Sequence, residues 1–174
     1  MKEVLILRHA DWDTKTGSLT KNGKQHCQER HGKIGTFTRI IASPFDRTQE
    51  TARLLTDGTP RIDERAGILC MTKAQEKHIE KLRGIHPLGV AGVIFSVPEL
   101  LPPVQQAGEK LVSLIKETLA ELPKNGRALI ISHDGTMIAA EKILKKKSFT
   151  LLDKTYRGLD GYIVDEQLRV HDFS

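Results

Sequence analysis

The chain has 174 residues, of which 39% are hydrophobic and 28% charged, with a formal net charge of +5 and a pI near 9.2. One domain of that size buries about two-thirds of the surface its unfolded form exposes, so it needs no disulfide or metal staple. Two cysteines, no repeat and no apolar run of bilayer length exclude a disulfide scaffold, a solenoid and a membrane span.

Taken in order, the apolar run VLIL at 4–7 predicts a buried strand that ends at Arg8 and His9. It meets charge too soon to be a secretory signal, so the cytoplasm is the expected location. A helix is expected over 20–33, then a second strand, RIIA, at 39–42. Ser43 reads as an N-cap and Pro44 as the first position of a second helix. Residues 66–103 read as an irregular insertion with one short helix near 73–81, able to form a lid or one wall of a site. A third helix over 104–122 repeats apolar residues at Val104, Ala107, Leu111, Leu114, Ile115 and Leu122. The run ALIIS at 128–132 predicts a third strand. A helix follows His133, and the lysines of KILKKK at 142–147 suit its negative end. The tail GYIVDEQLRV suits a hairpin or edge strand. Short, branched, continuous strands alternating with helices define an α/β chain with a mostly parallel sheet covered on both faces.

Polar residues stand where these strands stop. Arg8 and His9 follow the first strand, Ser43, Pro44 and Arg47 the second, and His133 the third. Parallel strands end on one sheet edge, where ligands bind, and helix N-termini there attract anions. The expected ligand is a phosphate. Guanidinium groups bind its oxygens in pairs and stay charged. A neutral imidazole is a competent nucleophile near pH 7, a role His9 could fill, although the residues alone do not rank it above His133. With positive side chains neutralising the phosphoryl oxygens, no metal or other cofactor is required.

Other clusters carry less. Cys27 in HCQERHGK would need an arginine six residues on to act as a phosphatase nucleophile, and that position is Lys33. A packed thiol is the better reading. His26, Cys27 and His31 lack a second ligand cluster with metal-site spacing. His78, His86 and His171 read as surface or structural residues. The basic runs have no interleaved aromatics, which argues against nucleic acid. Lys73, Lys77, Lys81 and Arg83 read as exposed helix residues rather than as a site for a second anionic group.

The motifs LRHA, LTKNGKQ at 19–25, SPFDRTQETA at 43–52 and ISHDGT at 131–136 together resemble the histidine phosphatase superfamily. They frame nearly the whole chain in the family's order. The resemblance implies a phosphoglycerate mutase-like, three-layer α/β/α sandwich over 1–174, with 66–103 as the insertion. It implies His9 as a transiently phosphorylated nucleophile, with Arg8, Arg47 and His133 as the phosphoryl clamp. RIDERAG at 61–67 is similar to the segment carrying the family's glutamate acid, which puts Glu64 forward as proton donor, with Arg65 and Gly135 as further substrate-binding residues. Asp134 is the alternative acid, since another branch uses an aspartate directly after the second histidine. Asp11 and Asp13 are weaker candidates, and with Trp12 they are expected at the mouth of the site. Ala10 departs from the usual glycine. The implied activity is hydrolysis of phosphate monoesters, on a small phosphorylated molecule or a phosphoprotein. The insertion looks short for a mutase lid, which leaves phosphoryl exchange and non-catalytic phosphate binding as alternatives.

Overall fold

Six strands form one sheet in the computed structural model, which describes residues 1–67, 71–82, 86–149, 152 and 154–173. They are β1 (Glu3–Arg8), β2 (Arg39–Ala42), β3 (Arg61–Ile62), β4 (Arg127–Ser132), β5 (Gly161–Asp165) and β6 (Val170–Phe173). Their order is β3-β2-β4-β1-β5-β6. The first four positions in that order are parallel, and β5 and β6 add an antiparallel hairpin, as the tail pattern predicts.

Alternation along the strands builds two cores. Val4, Ile6, Ala128 and Ile130 face one side, with α4 (Gly89–Ser96), α5 (Leu101–Glu121) and α6 (Asp134–Leu144). Leu5, Leu7, Leu129 and Ile131 face the other, with Cys27 of α1 (Lys21–Arg30) and Leu55 of α2 (Asp46–Thr56). Each Val, Leu or Ile among them contributes about 1.5–3 kcal/mol of burial, and strands covered on both sides have no polar face. The result is a three-layer α/β/α arrangement. No helix among the described residues is long and apolar enough to cross a membrane.

Two local expectations change. The second helix starts at Asp46, because Ser43 Oγ lies 2.8 Å from both Thr48 Oγ1 and His133 Nε2 and does not cap it. Phe45 holds the cap position without a side-chain bond. The 66–103 segment contains α3 (Lys73–Leu82) where one helix is expected, but also α4. In α4 Ala91, Gly92, Val93, Ile94 and Phe95 are all buried, so GVAGVIFS has no polar face to reveal a helical period.

Gly108 lets α5 lie against α6: a Cβ there would stand 2.7 Å from Ala139 Cβ. Gly108→Val is expected to destabilise the fold by about 1–3 kcal/mol through overpacking. Urea titration checks this, with a lower midpoint at unchanged slope.

Candidate active site

Strand register assembles the site. Arg8 pairs with Ser132 and Ala42 with Ile131, so β1, β2 and β4 stop at one level. His9, Ser43 and His133 therefore emerge side by side at the edge of a cavity of about 690 Å³. Arg8, His9, Arg47, His133, Asp134 and Gly135 all line it.

Hydrogen bonding assigns the ring protons. His9 Nδ1 lies 2.8 Å from the Ala10 carbonyl, which can only accept, so Nδ1 carries the hydrogen. Nε2 is left with its lone pair, which accepts from Arg47 Nε at 3.2 Å. Arg47 Nη2 also donates to His133 Nδ1 at 3.3 Å, so His133 carries its hydrogen on Nε2 and donates it to Ser43 Oγ. The two ring centroids are 5.1 Å apart. Burial, aided by Arg47 and Arg8 and opposed by the Ala10 hydrogen bond, lowers the His9 pKa to about 3. Burial first, then the neighbouring His9, Arg47 and Arg8, likewise hold His133 well below its ordinary range. Both rings are neutral at pH 7.

Arg47 projects from the first turn of α2 and contacts two rings, its Cζ 4.3 Å from the Trp12 centroid and 4.4 Å from that of Phe45. Cation–π contact with both rings restrains the guanidinium. Thr51 Oγ1 donates to the Arg47 carbonyl at 2.7 Å and accepts from Ala10 N at 3.1 Å, tying the loop after β1 to α2. Thr48 Oγ1 reaches the carbonyls of Ser43 and Phe45 at 2.9 and 2.7 Å. Gly67, at φ 149°, lies beside His133, where a Cβ would strike the imidazole.

Tyr156 organises the other side. Its carbonyl accepts from Arg8 Nη1, and its N–H donates to Asp134 Oδ1 at 2.8 Å. Its hydroxyl donates to Glu141 Oε2 at 2.6 Å in the interior of α6. The second Asp134 oxygen is 3.9 Å from Arg8 Nη1. Burial raises the Asp134 pKa, against the opposing pull of the Tyr156 N–H and Arg8. Sequence reasoning missed Tyr156, because it acts mainly through backbone atoms that no motif marks.

Several expected site residues are elsewhere. Glu64 is exposed on a short 3₁₀ turn (Glu64–Ala66) and does not line the cavity. Arg65 is turned away by its own neighbours. It grips Asp63 through Nε and Nη2 at 3.0 and 2.8 Å, and Glu117 of α5 through Nη1 and Nη2 at 2.7 and 3.1 Å. That fork pins the turn to α5 and holds the carboxyls of Asp63 and Glu117 below their usual range. Asp11 is exposed and lines a separate cavity of about 510 Å³, while Asp13 Oδ1 accepts from Lys15 N at 2.7 Å. Trp12 does line the main cavity, as does Glu76 of α3, which the sequence did not single out. Lys73, Lys77 and Lys81 are exposed and outside it. Arg83 and Cys70 lie outside the described residues. Cys27 is buried in a core, where desolvation pushes its thiol up to about 11. Among the described residues, no three His, Cys, Asp or Glu side chains cluster as a metal site would require.

This constellation on this fold has relatives. The model of the histidine phosphatase superfamily (branch 1) matches residues 4–155, so the chain belongs to that superfamily, whose members are phosphatases or mutases. A probable phosphoglycerate mutase of Enterobacter sp. (strain 638) is 26% identical over 151 residues, covering 76% of this chain and 70% of the relative. A mycobacterial glucosyl-3-phosphoglycerate phosphatase, solved with VO3, superposes with a TM-score of 0.70 at 18% identity over 99% of this chain and 98% of its own. A phosphoserine phosphatase mutant from Entamoeba histolytica, solved with phosphoserine, gives 0.61 at 17% identity over 98% and 95%.

Because both histidine pKa values are depressed in the folded state, their neutral forms contribute stability that is fully present above about pH 6.5. For His9 this contribution is lost as pH falls from there through about 3. The unliganded melting temperature is expected to drop between pH 7 and pH 4, and less steeply in His9→Gln/His133→Gln. Differential scanning fluorimetry across that range checks both.

Proposed function

We propose that this chain hydrolyses phosphate monoesters through a transient phosphohistidine on His9. The observation that carries the reading is the His9 Nε2 lone pair, placed on that nitrogen by the Nδ1–H bond to the Ala10 carbonyl, kept unprotonated by burial, and aligned by a guanidinium that also reaches His133. A phosphate dianion entering the cavity takes the N–H donors of Arg8 and Arg47 and offsets their charges. His9 Nε2 attacks phosphorus, the P–O bond to the alcohol breaks, and an acid delivers a proton to the departing oxygen. Water then attacks phosphorus, the P–N bond to His9 Nε2 breaks, the same acid residue takes one of the water's protons, and phosphate leaves.

Asp134 fits the acid role better than Glu64. It lines the cavity and its raised pKa favours the protonated form, whereas Glu64 is exposed outside it. The phosphatases among the structural relatives support the hydrolytic outcome. A mutase would use the same first step but return the phosphoryl group to a second hydroxyl, the chemistry suggested by the name of the Enterobacter relative.

His9→Ala is expected to reduce turnover to background in a phosphate-release assay. Persistence of wild-type activity would overturn the nucleophile assignment, and phosphate binding without wild-type turnover would leave only a binding module. Asp134→Asn should lower kcat on alkyl phosphates by about 10²–10⁴, but far less on p-nitrophenyl phosphate, whose leaving group needs no proton. Wild-type kcat on the alkyl esters should decline as pH rises through the elevated Asp134 pKa. Glu64→Gln should leave both substrates unaffected; a selective loss on alkyl esters in that variant would transfer the acid role to Glu64.

A further inference from the structure

We infer that the substrate is a small monoester whose alcohol half is apolar, an alkyl or aryl group rather than a polyol or a phosphosugar. This rests on the hydrolase reading above and deepens it. Large hydrophobic side chains exposed among the described residues are Met1, Phe45, Ile62, Leu88 and Val90. Three of these five, Phe45, Leu88 and Val90, line the cavity that holds the two histidines. Scattered exposed hydrophobics are ordinary, but a concentration in one concave site is the mark of a ligand surface. Met71, Ala91 and Ile94 extend the same lining.

This wall is built rather than incidental. Ile94 packs against the first turn of α6, its Cδ1 lying 3.4 Å from where a Gly135 Cβ would stand. His86 Nδ1 accepts from Leu88 N at 3.1 Å, and its Nε2 lies 3.3 Å from Ser96 Oγ, bracketing α4 from both ends. Outside the phosphate-facing cluster and α6, the polar side chains of the lining among the described residues are Trp12, Glu76, Thr155, Tyr156 and Arg157, and the Tyr156 hydroxyl is already donated to Glu141. The described wall residues Pro87 to Ala91 and Ile94 offer a sugar's hydroxyls no polar side chain, at a cost of about 1–3 kcal/mol for each one left unsatisfied against it. A volume of about 690 Å³ accommodates a phosphoryl group together with a medium-sized apolar group.

The test is a homologous series from ethyl to octyl phosphate, which holds leaving-group basicity nearly constant, measured beside glycerol 3-phosphate and glucose 6-phosphate. kcat/KM should rise about two- to fourfold per methylene until the wall is covered, the upper value being that for full burial. Leu88→Asn, at a position 44% exposed and so tolerant of change, should flatten that slope. Alkylphosphonates, which cannot be cleaved, should show the same trend in affinity by calorimetry. A flat series, or faster turnover of glycerol 3-phosphate or glucose 6-phosphate, overturns this inference while leaving the hydrolase reading intact. Chain-length-dependent phosphonate binding without turnover of any ester overturns the hydrolase reading and retains the apolar subsite. Neither binding nor turnover overturns both.

Discussion

One guanidinium serving two imidazoles sets the character of the cavity. Arg47 donates to the unprotonated nitrogen of His9 and to that of His133, and both bonds exist only while the rings are neutral. Protonating either ring would put a third positive charge beside Arg8 and Arg47 in a buried site. Desolvation opposes this first and charge repulsion second, and the two effects work in the same direction. The arrangement therefore combines fixed positive charge with an imidazole that still has a lone pair. A bound dianion would relieve the repulsion and leave that lone pair in place.

Holding that arrangement requires anchors on three sides, and the structure supplies them from different layers. Trp12 and Phe45 pack against the Arg47 guanidinium, and Thr51 of α2 ties its backbone to the loop after β1 that carries His9. Tyr156 links Arg8 to α6 at both Asp134 and Glu141. Burial pushes the Glu141 carboxyl up, but Lys145, Lys154 and the Tyr156 hydroxyl outweigh it and keep the group ionised. The anchor for Tyr156 is thus itself a satisfied buried charge. The Asp63–Arg65–Glu117 fork is a contrasting case. Its charges are strong, yet they are spent on joining a turn to α5.

These two uses of charge explain why some residues singled out from the sequence line the cavity and others do not. Arg8, His9, Arg47 and His133 each follow a strand whose apolar run is visible, and parallel strands in register must deliver such residues to one edge. Glu64 and Arg65 also follow a strand, but β3 is two residues long and its successor turn packs on α5, so proximity in sequence does not carry them into the cavity. Helix α4 escaped because a segment buried on nearly every side shows no period.

By itself, then, the sequence determined the alternation of strands and helices, the two-sided sheet and the cluster of guanidinium and imidazole groups at its edge. All of these follow from local hydrophobic pattern and from where it stops. Tertiary structure alone decided which carboxylate faces that cluster, which protons the two rings carry, and that an apolar wall from α4 stands beside them. Those outcomes depend on burial and on partners from distant segments, such as residue 156 meeting residues 8 and 134. Such long-range meetings leave no periodic trace in the chain.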